Sequence, residues 1–249
     1  MTSAASDGRA ARRARPLLGT LVEVGLVGLI DGPEGAHDAA FAAIAEVQSQ
    51  LSRFEPASDI AWFNAARAGE RRAIGPHTRA VLAAARVLGD ETRDLFDITL
   101  GSGSQHWHVQ GDALVKRHDD VAFDLGGIGK GYAVDHAIDA LIACGCKAGW
   151  VNAGGDLRAF GDIDVPVSVR DEHGGGARPF AQLRDAAIAT SRFGHGARST
   201  LSAPGAIDAH VSVAAPLCLW ADALTKLVAI SGDTAHPLLA RHGAQAWLH

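Results

Sequence analysis

Four glycines lie close together around the start of a predicted helix, in the stretch FDLGGIGKGYAVD that spans residues 123–135. Apolar residues recur at helical spacing over residues 128–144, and Gly145 can end that helix. Glycines at a helix start leave backbone amide and carbonyl groups accessible, which suits the binding of a phosphate or a hard cation. The stretch therefore predicts a helix whose first turn closely approaches a ligand.

Lys130 lies in the first turn of that helix, where the helix dipole disfavours a positive charge. Asp124 or a bound phosphate could supply the compensating negative charge, and the alternative is a lysine that points into solvent. The stretch is not a P-loop, which would need glycine at position 124 and serine or threonine at position 131. It also lacks the G-x-G-x-x-G spacing, so any nucleotide site here is of another kind.

Two further segments carry oxygen atoms that a ligand could use. In residues 152–156, which read NAGGD, two glycines precede Asp156 and form either a simple turn or a second close approach to a ligand. In a predicted helix over residues 220–230, Asp222 and Thr225 lie three apart on one face. Their oxygens suit Mg²⁺ or Ca²⁺, and the alternative is an aspartate that interacts favourably with its own helix dipole.

Charge and chain length narrow the class of protein. A net charge of −5, from 23 basic and 28 acidic residues, argues against nucleic acid as a partner. The 249 residues, 47% of them hydrophobic, can bury a sizeable core. Residues 1–15 are rich in arginine and no apolar run follows them, so we expect a disordered tail there, no membrane span and a cytoplasmic location.

Periodicity predicts the main elements of the folded part, residues 16–249. Alternation predicts strands over 17–29, 165–170, 186–189 and 211–215, and helical spacing predicts helices over 36–51, 128–144 and 220–230. Hairpin turns are predicted at Gly111-Asp112 and at the glycine-rich residues 174–176. These elements predict an α+β fold, with helices packed on mixed, mainly antiparallel sheets.

Taken in order, the motifs resemble the FAD:protein FMN transferase family, known as ApbE, over nearly the whole chain from Leu17 onward. The resemblance implies a single domain of the T-fold-like type. The matching segments are LGT at 18–20, LSRF at 51–54, LFDITLG at 95–101, residues 124–135, VNAGGD at 151–156, ATS at 189–191 and ADALT at 221–225.

The resemblance implies Mg²⁺-dependent transfer of FMN from FAD to a threonine or serine hydroxyl of an acceptor protein, with release of AMP. It implies no oligomeric state. By position, the FAD-binding residues would be Phe54 near the flavin, Leu95, Phe96, Asp97, Asp124 and Lys130. The metal would be held by the backbone of Gly127 and by Asp222 and Thr225, which are also the implied catalytic pair.

The chain departs from the family pattern at three places, one of which is the segment between Gly101 and Asp124: it is short by comparison, and in the family that region helps to cover the flavin. Thr200 and Ala203 stand where the family has the histidine and aspartate of an H-x-x-D-P motif, so His195, His210 or Asp156 would have to act as the base. Lys226 stands four residues after Asp222, where the family usually has the metal-binding threonine. Two alternatives therefore accompany the transferase: an FAD-binding protein without transfer activity, and an FAD pyrophosphatase that yields FMN and AMP.

Overall fold

The structure, a computed structural model, describes residues 11–28, 33–170, 174–194 and 207–249. Within them the strands are β1 (Ala11–Leu17), β2 (Thr20–Leu26), β3 (Arg71–Ala73), β4 (Trp107–Gln110), β5 (Ala113–Lys116), β6 (Gly149–Ala153), β7 (Asp156–Phe160), β8 (Val165–Arg170), β9 (Ala177–Leu183), β10 (Ala187–Arg192), β11 (His210–Ala215) and β12 (Gln245–Leu248). The helices are α1 (Pro33–Leu51), α2 (Asp59–Ala65), α3 (Pro76–Thr92), α4 (Gly129–Ala143), α5 (Cys218–Ser231) and α6 (Pro237–Arg241).

One antiparallel sheet organises these elements, with strand order β1-β2-β6-β7-β10-β11-β12. Helices α1, α4 and α5 pack on one face, and the β8–β9 hairpin covers part of the other through a small cluster around Leu157 and Ile188. The α+β class with mainly antiparallel sheets is confirmed. Among the described residues, no helix is both long and apolar enough to cross a membrane.

A second, three-stranded sheet has the order β3-β5-β4. Its β4–β5 turn lies at Gly111-Asp112, as the sequence predicts, and Gly111 adopts a positive φ of 62°. The predicted helices over 36–51, 128–144 and 220–230 correspond to α1, α4 and α5. Their apolar stripes, such as Phe41, Ile44 and Val47 on α1, are buried in the main core.

The strand predicted over 17–29 is confirmed as β2 (Thr20–Leu26), but its start is corrected, because a tight turn at Leu18-Gly19 separates β2 from Leu17, the last residue of β1. Residue 29 lies outside the described residues. The disordered tail predicted for residues 1–15 is corrected for the same reason: its last five residues belong to β1, and residues 1–10 lie outside the described residues. The arginines were interpreted as part of a polar tail, but they belong to an edge strand of the sheet. Charged side chains are common on edge strands. Arg15, for example, forms an ion pair with Asp38 of α1 at 2.6 Å.

The glycine-rich turn at residues 174–176 connects β8 to β9, a strand that the sequence analysis missed. We expected the next strand to be the one that begins near residue 186. Strand β9 contains Pro179 and meets β8 through an irregular register at Val167/Ser168, so its polar alternation is weak.

Helices α4 and α5 cap each other with carboxylates. Asp135 on α4 accepts hydrogen bonds from the first backbone N–H groups of α5, those of Cys218 at 2.9 Å and Leu219 at 2.8 Å. Asp222 on α5 accepts one from the N–H of Gly131, in the first turn of α4, at 3.3 Å. Each carboxylate satisfies donors that a helix start leaves without an intrahelical partner, and each complements the positive end of the helix dipole.

Gly131 permits this close crossing, because a Cβ there would clash with the backbone oxygen of Cys218 and lie 2.9 Å from the Cβ of Asp222. We expect Gly131→Ala to lower the free energy of unfolding by about 1–3 kcal/mol through overpacking. The measurement is urea unfolding followed by circular dichroism. Gly35→Ala is the matched control, since Gly35 is a helical glycine with open space around it and should gain up to about 1 kcal/mol. Equal effects of the two substitutions would contradict this account of the crossing.

Candidate active site

Two buried carboxylates and two lysines meet where β7, α4 and α5 converge. Asp156 and Asp222 are almost fully buried. Lys130 forms an ion pair with Asp156 and its Nζ lies 3.8 Å from Asp222 Oδ2. Lys226 Nζ lies 2.6 Å from Asp222 Oδ1. We call these four residues the charge cluster.

The charged groups of the cluster shift one another's pKa values. Burial raises the pKa of Asp156 to about 6, and the nearby charge of Asp222 adds to the rise. Burial disfavours the charged form of Lys130, but Asp156 and Asp222 together outweigh it and raise the pKa of that lysine. Burial also opposes ionisation of Asp222, yet Lys130 and Lys226 hold its pKa below the ordinary value. Asp222 is therefore the firmly ionised carboxylate of the pair.

The negative charge that compensates Lys130 is thus supplied by Asp156 and Asp222. Asp124, one of the two partners predicted from the sequence, does not have this role. The carboxylate of Asp124 instead accepts a hydrogen bond from Arg53 at 2.9 Å and another from the N–H of Gly126 at 2.8 Å. The lysine at the helix start is tolerated because two acids from other elements face it.

An open cavity of about 470 Å³ lies beside the cluster, within the range of roughly 300–1,000 Å³ that is typical of small-molecule sites. Phe54, Asp124 and Lys130, three of the residues assigned to FAD, line it together with the glycines at the start of α4. Phe54 is 81% exposed, with the Arg53 guanidinium 4.8 Å from its ring centre. An exposed aromatic ring beside a cavity offers a surface on which a flat ring system can stack.

The other three residues assigned to FAD do not line this cavity. Phe96 is buried in the core, and Leu95 packs against the core's edge. The carboxylate of Asp97 accepts hydrogen bonds from Thr99 and from the N–H of Gly101, so it stabilises its own turn. One backbone hydrogen bond joins this segment to a residue that does line the cavity, since the N–H of Asp124 donates to the carbonyl of Ile98 at 2.8 Å.

The predicted metal ligands are brought near one another, but they do not fit a divalent cation as the structure shows them. One oxygen of Asp222 already pairs with Lys226, and the hydroxyl of Thr225 donates to the backbone oxygen of Asp222 at 2.7 Å. The stem of Lys226 also runs past Gly127. A divalent ion about 4 Å from that ammonium would be repelled by about 8 kcal/mol at an effective dielectric constant near 20.

Of the three residues considered as a base, the structure places Asp156 in the charge cluster. In the register of the sheet, His210 of β11 lies opposite Arg192 of β10, and the neighbouring position pairs Val211 with Ser191. Because Ser191 faces α5, where its Oγ lies 3.4 Å from Lys226 Nζ, His210 belongs to the opposite face of the sheet. His195 and residues 199–205 lie outside the described residues.

A second cluster, which was not predicted from the sequence, is formed by Glu46 on α1, His77 on α3 and His136 on α4. One ligating atom from each lies within 4.8 Å of the others. Burial lowers the pKa of His77, and the neighbouring His136 lowers it further. Neutral imidazoles suit Zn²⁺ better than Mg²⁺. The cluster escaped notice because its members come from three helices and form no spaced motif.

The chain belongs to the ApbE family, whose model matches residues 18–113 and 105–248. It is similar to the FAD:protein FMN transferase of Vibrio cholerae serotype O1, with 26% identity over 145 residues. That match covers 47% of this chain and 43% of the relative, so it spans less than half of the relative's length.

Solved structures share the fold. The apo form of the Pseudomonas stutzeri flavinyl transferase ApbE aligns with a TM-score of 0.82 and 24% identity, over 97% of this chain and 91% of that one. The ApbE protein of Thermotoga maritima aligns with a TM-score of 0.82 and 21% identity, over 96% and 94% of the two chains. The flavin transferase ApbE of Vibrio cholerae gives 0.80 and 19%, over 96% and 93%.

Removing one lysine from the charge cluster should destabilise the protein. We expect Lys130→Met to lower the free energy of unfolding at neutral pH by about 3 kcal/mol, because Asp156 is left buried and unpaired. The loss should be smaller at pH 5 than at pH 8, since Asp156 has a raised pKa and can take up a proton there. Denaturant unfolding at both pH values measures this.

Arg184→Met is the control, because Arg184 pairs with Asp162 and Asp164 on the exposed surface and its removal should change stability very little. A loss for Lys130→Met as small as that of the control would contradict the assigned role of the cluster.

Proposed function

We propose that this protein transfers FMN from FAD to a threonine or serine hydroxyl of an acceptor protein and releases AMP. Membership of the ApbE family over residues 18–248 carries this proposal. The relatives named as flavin transferases support it, and so does the open cavity bounded by Phe54 and the glycine-rich start of α4. A cytoplasmic location stays a prediction.

The reaction needs positioning and positive charge more than covalent help from the protein. The acceptor oxygen forms a bond to the phosphorus on the flavin side of the diphosphate, and the bond from that phosphorus to the bridging oxygen breaks. The bridging oxygen leaves with AMP, and the hydroxyl proton goes to a base or to solvent. Stabilising the leaving phosphate and aligning the hydroxyl supply most of the catalysis in such transfers.

Residues of the cavity and of the charge cluster have separate roles in this proposal. The ring of Phe54 would stack on the flavin, and the N–H groups at the start of α4 would face the diphosphate. Lys130 lines the cavity and also belongs to the charge cluster, so its ammonium would contribute positive charge to the phosphate oxygens. Asp156 lies in the charge cluster and not in the cavity lining; its pKa, raised by burial to about 6, makes it the carboxylate proposed to take up the hydroxyl proton.

The replacement of the family's histidine and aspartate by Thr200 and Ala203 favours a second candidate, an FAD-binding protein without transfer activity. Hydrolysis of FAD is the third, in which water takes the place of the acceptor hydroxyl. These candidates share one cavity and differ in the products that they release.

Incubation with FAD, Mg²⁺ and a flavin-acceptor domain tests the proposal, and a parallel reaction contains EDTA in place of the metal. We expect a fluorescent covalent flavin band on the acceptor and an equal amount of AMP. An acceptor whose target threonine or serine is replaced by alanine should remain unlabelled. FAD binding with no AMP released would establish the second candidate, and AMP with free FMN in the absence of acceptor would establish the third.

A further inference from the structure

A lysine side chain fills the space between Gly127 and Asp222, where the family resemblance puts a divalent cation. The stem of Lys226 passes Gly127 so closely that a Cβ on that glycine would lie 2.7 Å from the lysine Cε and 3.1 Å from its Cδ. The φ of Gly127 is not positive, so what a larger residue would meet there is the lysine stem and not a strained backbone conformation. The glycine and the lysine therefore form a complementary pair.

The ammonium of Lys226 is fully supplied with oxygen acceptors. It lies 2.6 Å from Oδ1 of Asp222, 3.3 Å from the backbone oxygen of the same residue and 3.4 Å from Oγ of Ser191. An ammonium has three N–H donors, and here three oxygens surround it. A carboxylate, a carbonyl and a hydroxyl are also the oxygen ligands that Mg²⁺ uses. The lysine occupies an environment that otherwise suits a hard cation.

The charge balance points the same way. The cluster contains two carboxylates, Asp156 and Asp222, and two ammonium groups, Lys130 and Lys226, so it is neutral when all four are ionised. Only 6% of Lys226 is exposed, which leaves its ammonium little access to water. A threonine at position 226 would instead leave one net negative charge and add an oxygen ligand. This single position thus decides between a metal ligand and a built-in cation.

We propose that the ammonium of Lys226 takes the place of the divalent cation, and that this protein binds the diphosphate of FAD without a metal ion at Asp222. The identity of the ligand rests on the proposed function, whereas the filled cation position rests on the contacts alone. Lys226 is a positioning residue, because it acts on Asp222 and does not line the cavity. Lys130 then presents positive charge to the diphosphate.

The unaltered protein provides the first test. Its thermal midpoint is measured in millimolar Mg²⁺ and in EDTA, and its affinity for FAD is measured under both conditions by quenching of flavin fluorescence. We expect the midpoint to be unchanged and the dissociation constant to agree within about twofold. A rise in the midpoint with Mg²⁺ alone, or FAD binding tightened tenfold or more by Mg²⁺, would overturn the proposal.

The variant Lys226→Thr provides the second test, with Lys147→Thr as a control that removes an exposed lysine. We expect Mg²⁺ to raise the thermal midpoint of Lys226→Thr and to tighten its FAD binding by about tenfold. The thermal midpoint and FAD affinity of the control should not change with Mg²⁺, as we expect for the unaltered protein. A folded Lys226→Thr variant whose midpoint and FAD affinity do not change with Mg²⁺ would also overturn the proposal. If that variant does not fold, the unaltered protein alone decides.

Two comparisons keep the outcomes separate. The double variant His77→Ala/Lys226→Thr should respond to Mg²⁺ as Lys226→Thr does, which excludes metal binding at the histidine cluster as the cause. An unaltered protein that binds no FAD in either condition would contradict the proposed function. The thermal midpoints, measured without FAD, would still decide whether Lys226 excludes the cation.

Discussion

The carboxylate of Asp222 is held without solvent exposure at the start of a neighbouring helix, between two lysines. An ionised carboxylate in the core is costly unless its charge and hydrogen-bonding capacity are satisfied. Here Lys226 pairs with one oxygen, while the N–H of Gly131 bonds the other and Lys130 approaches it. Together with the hydrogen bonds that Asp135 accepts from the start of α5, this compensation fixes α5 against α4, and it brings Lys130 to Asp156 on β7.

The same contacts join the core to the cavity. Lys130 reaches Asp156 inside the protein and also borders the cavity in which Phe54 is exposed. A ligand with negative charge would therefore meet a lysine whose position is already fixed by buried acids. Such preorganisation lowers the cost of orienting charge when a diphosphate binds or leaves. The proposed ligand contains such a diphosphate, and the cluster supplies a physical reason why this end of α4 would suit it.

Much of the fold was predictable from patterns among residues that are close together in the sequence. Helices α1, α4 and α5 and the β4–β5 turn were predictable, because periodicity and a Gly-Asp turn are properties of neighbouring residues. The edge strand β1 was not, since its arginines are stabilised by acids on β2 and α1 that only the folded chain brings near. Strand β9 was missed because a proline and an irregular register weaken its alternation.

The features of the candidate site also fall into those that sequence spacing can indicate and those that depend on how the elements pack. Asp222 and Lys226 are four residues apart on one helix, a spacing that permits their ion pair, although from the sequence Lys226 was interpreted only as a departure from the family's metal-binding threonine. The pairing of Lys130 with Asp156 was not predictable from the sequence, because Lys130 lies on helix α4 and Asp156 lies on strand β7, 26 residues further along the chain. The cluster of Glu46, His77 and His136 likewise depends on how three helices pack. Spacing within one element is visible in a sequence, whereas convergence between elements requires the fold.

The most direct test of the account is a crystal structure of the protein soaked with FAD and Mn²⁺, with anomalous scattering used to locate the metal. The account predicts Lys226 Nζ within hydrogen-bonding distance of Asp222 and no anomalous peak beside that carboxylate. A manganese ion bonded to Asp222 and Thr225, with Lys226 turned away from them, would contradict it.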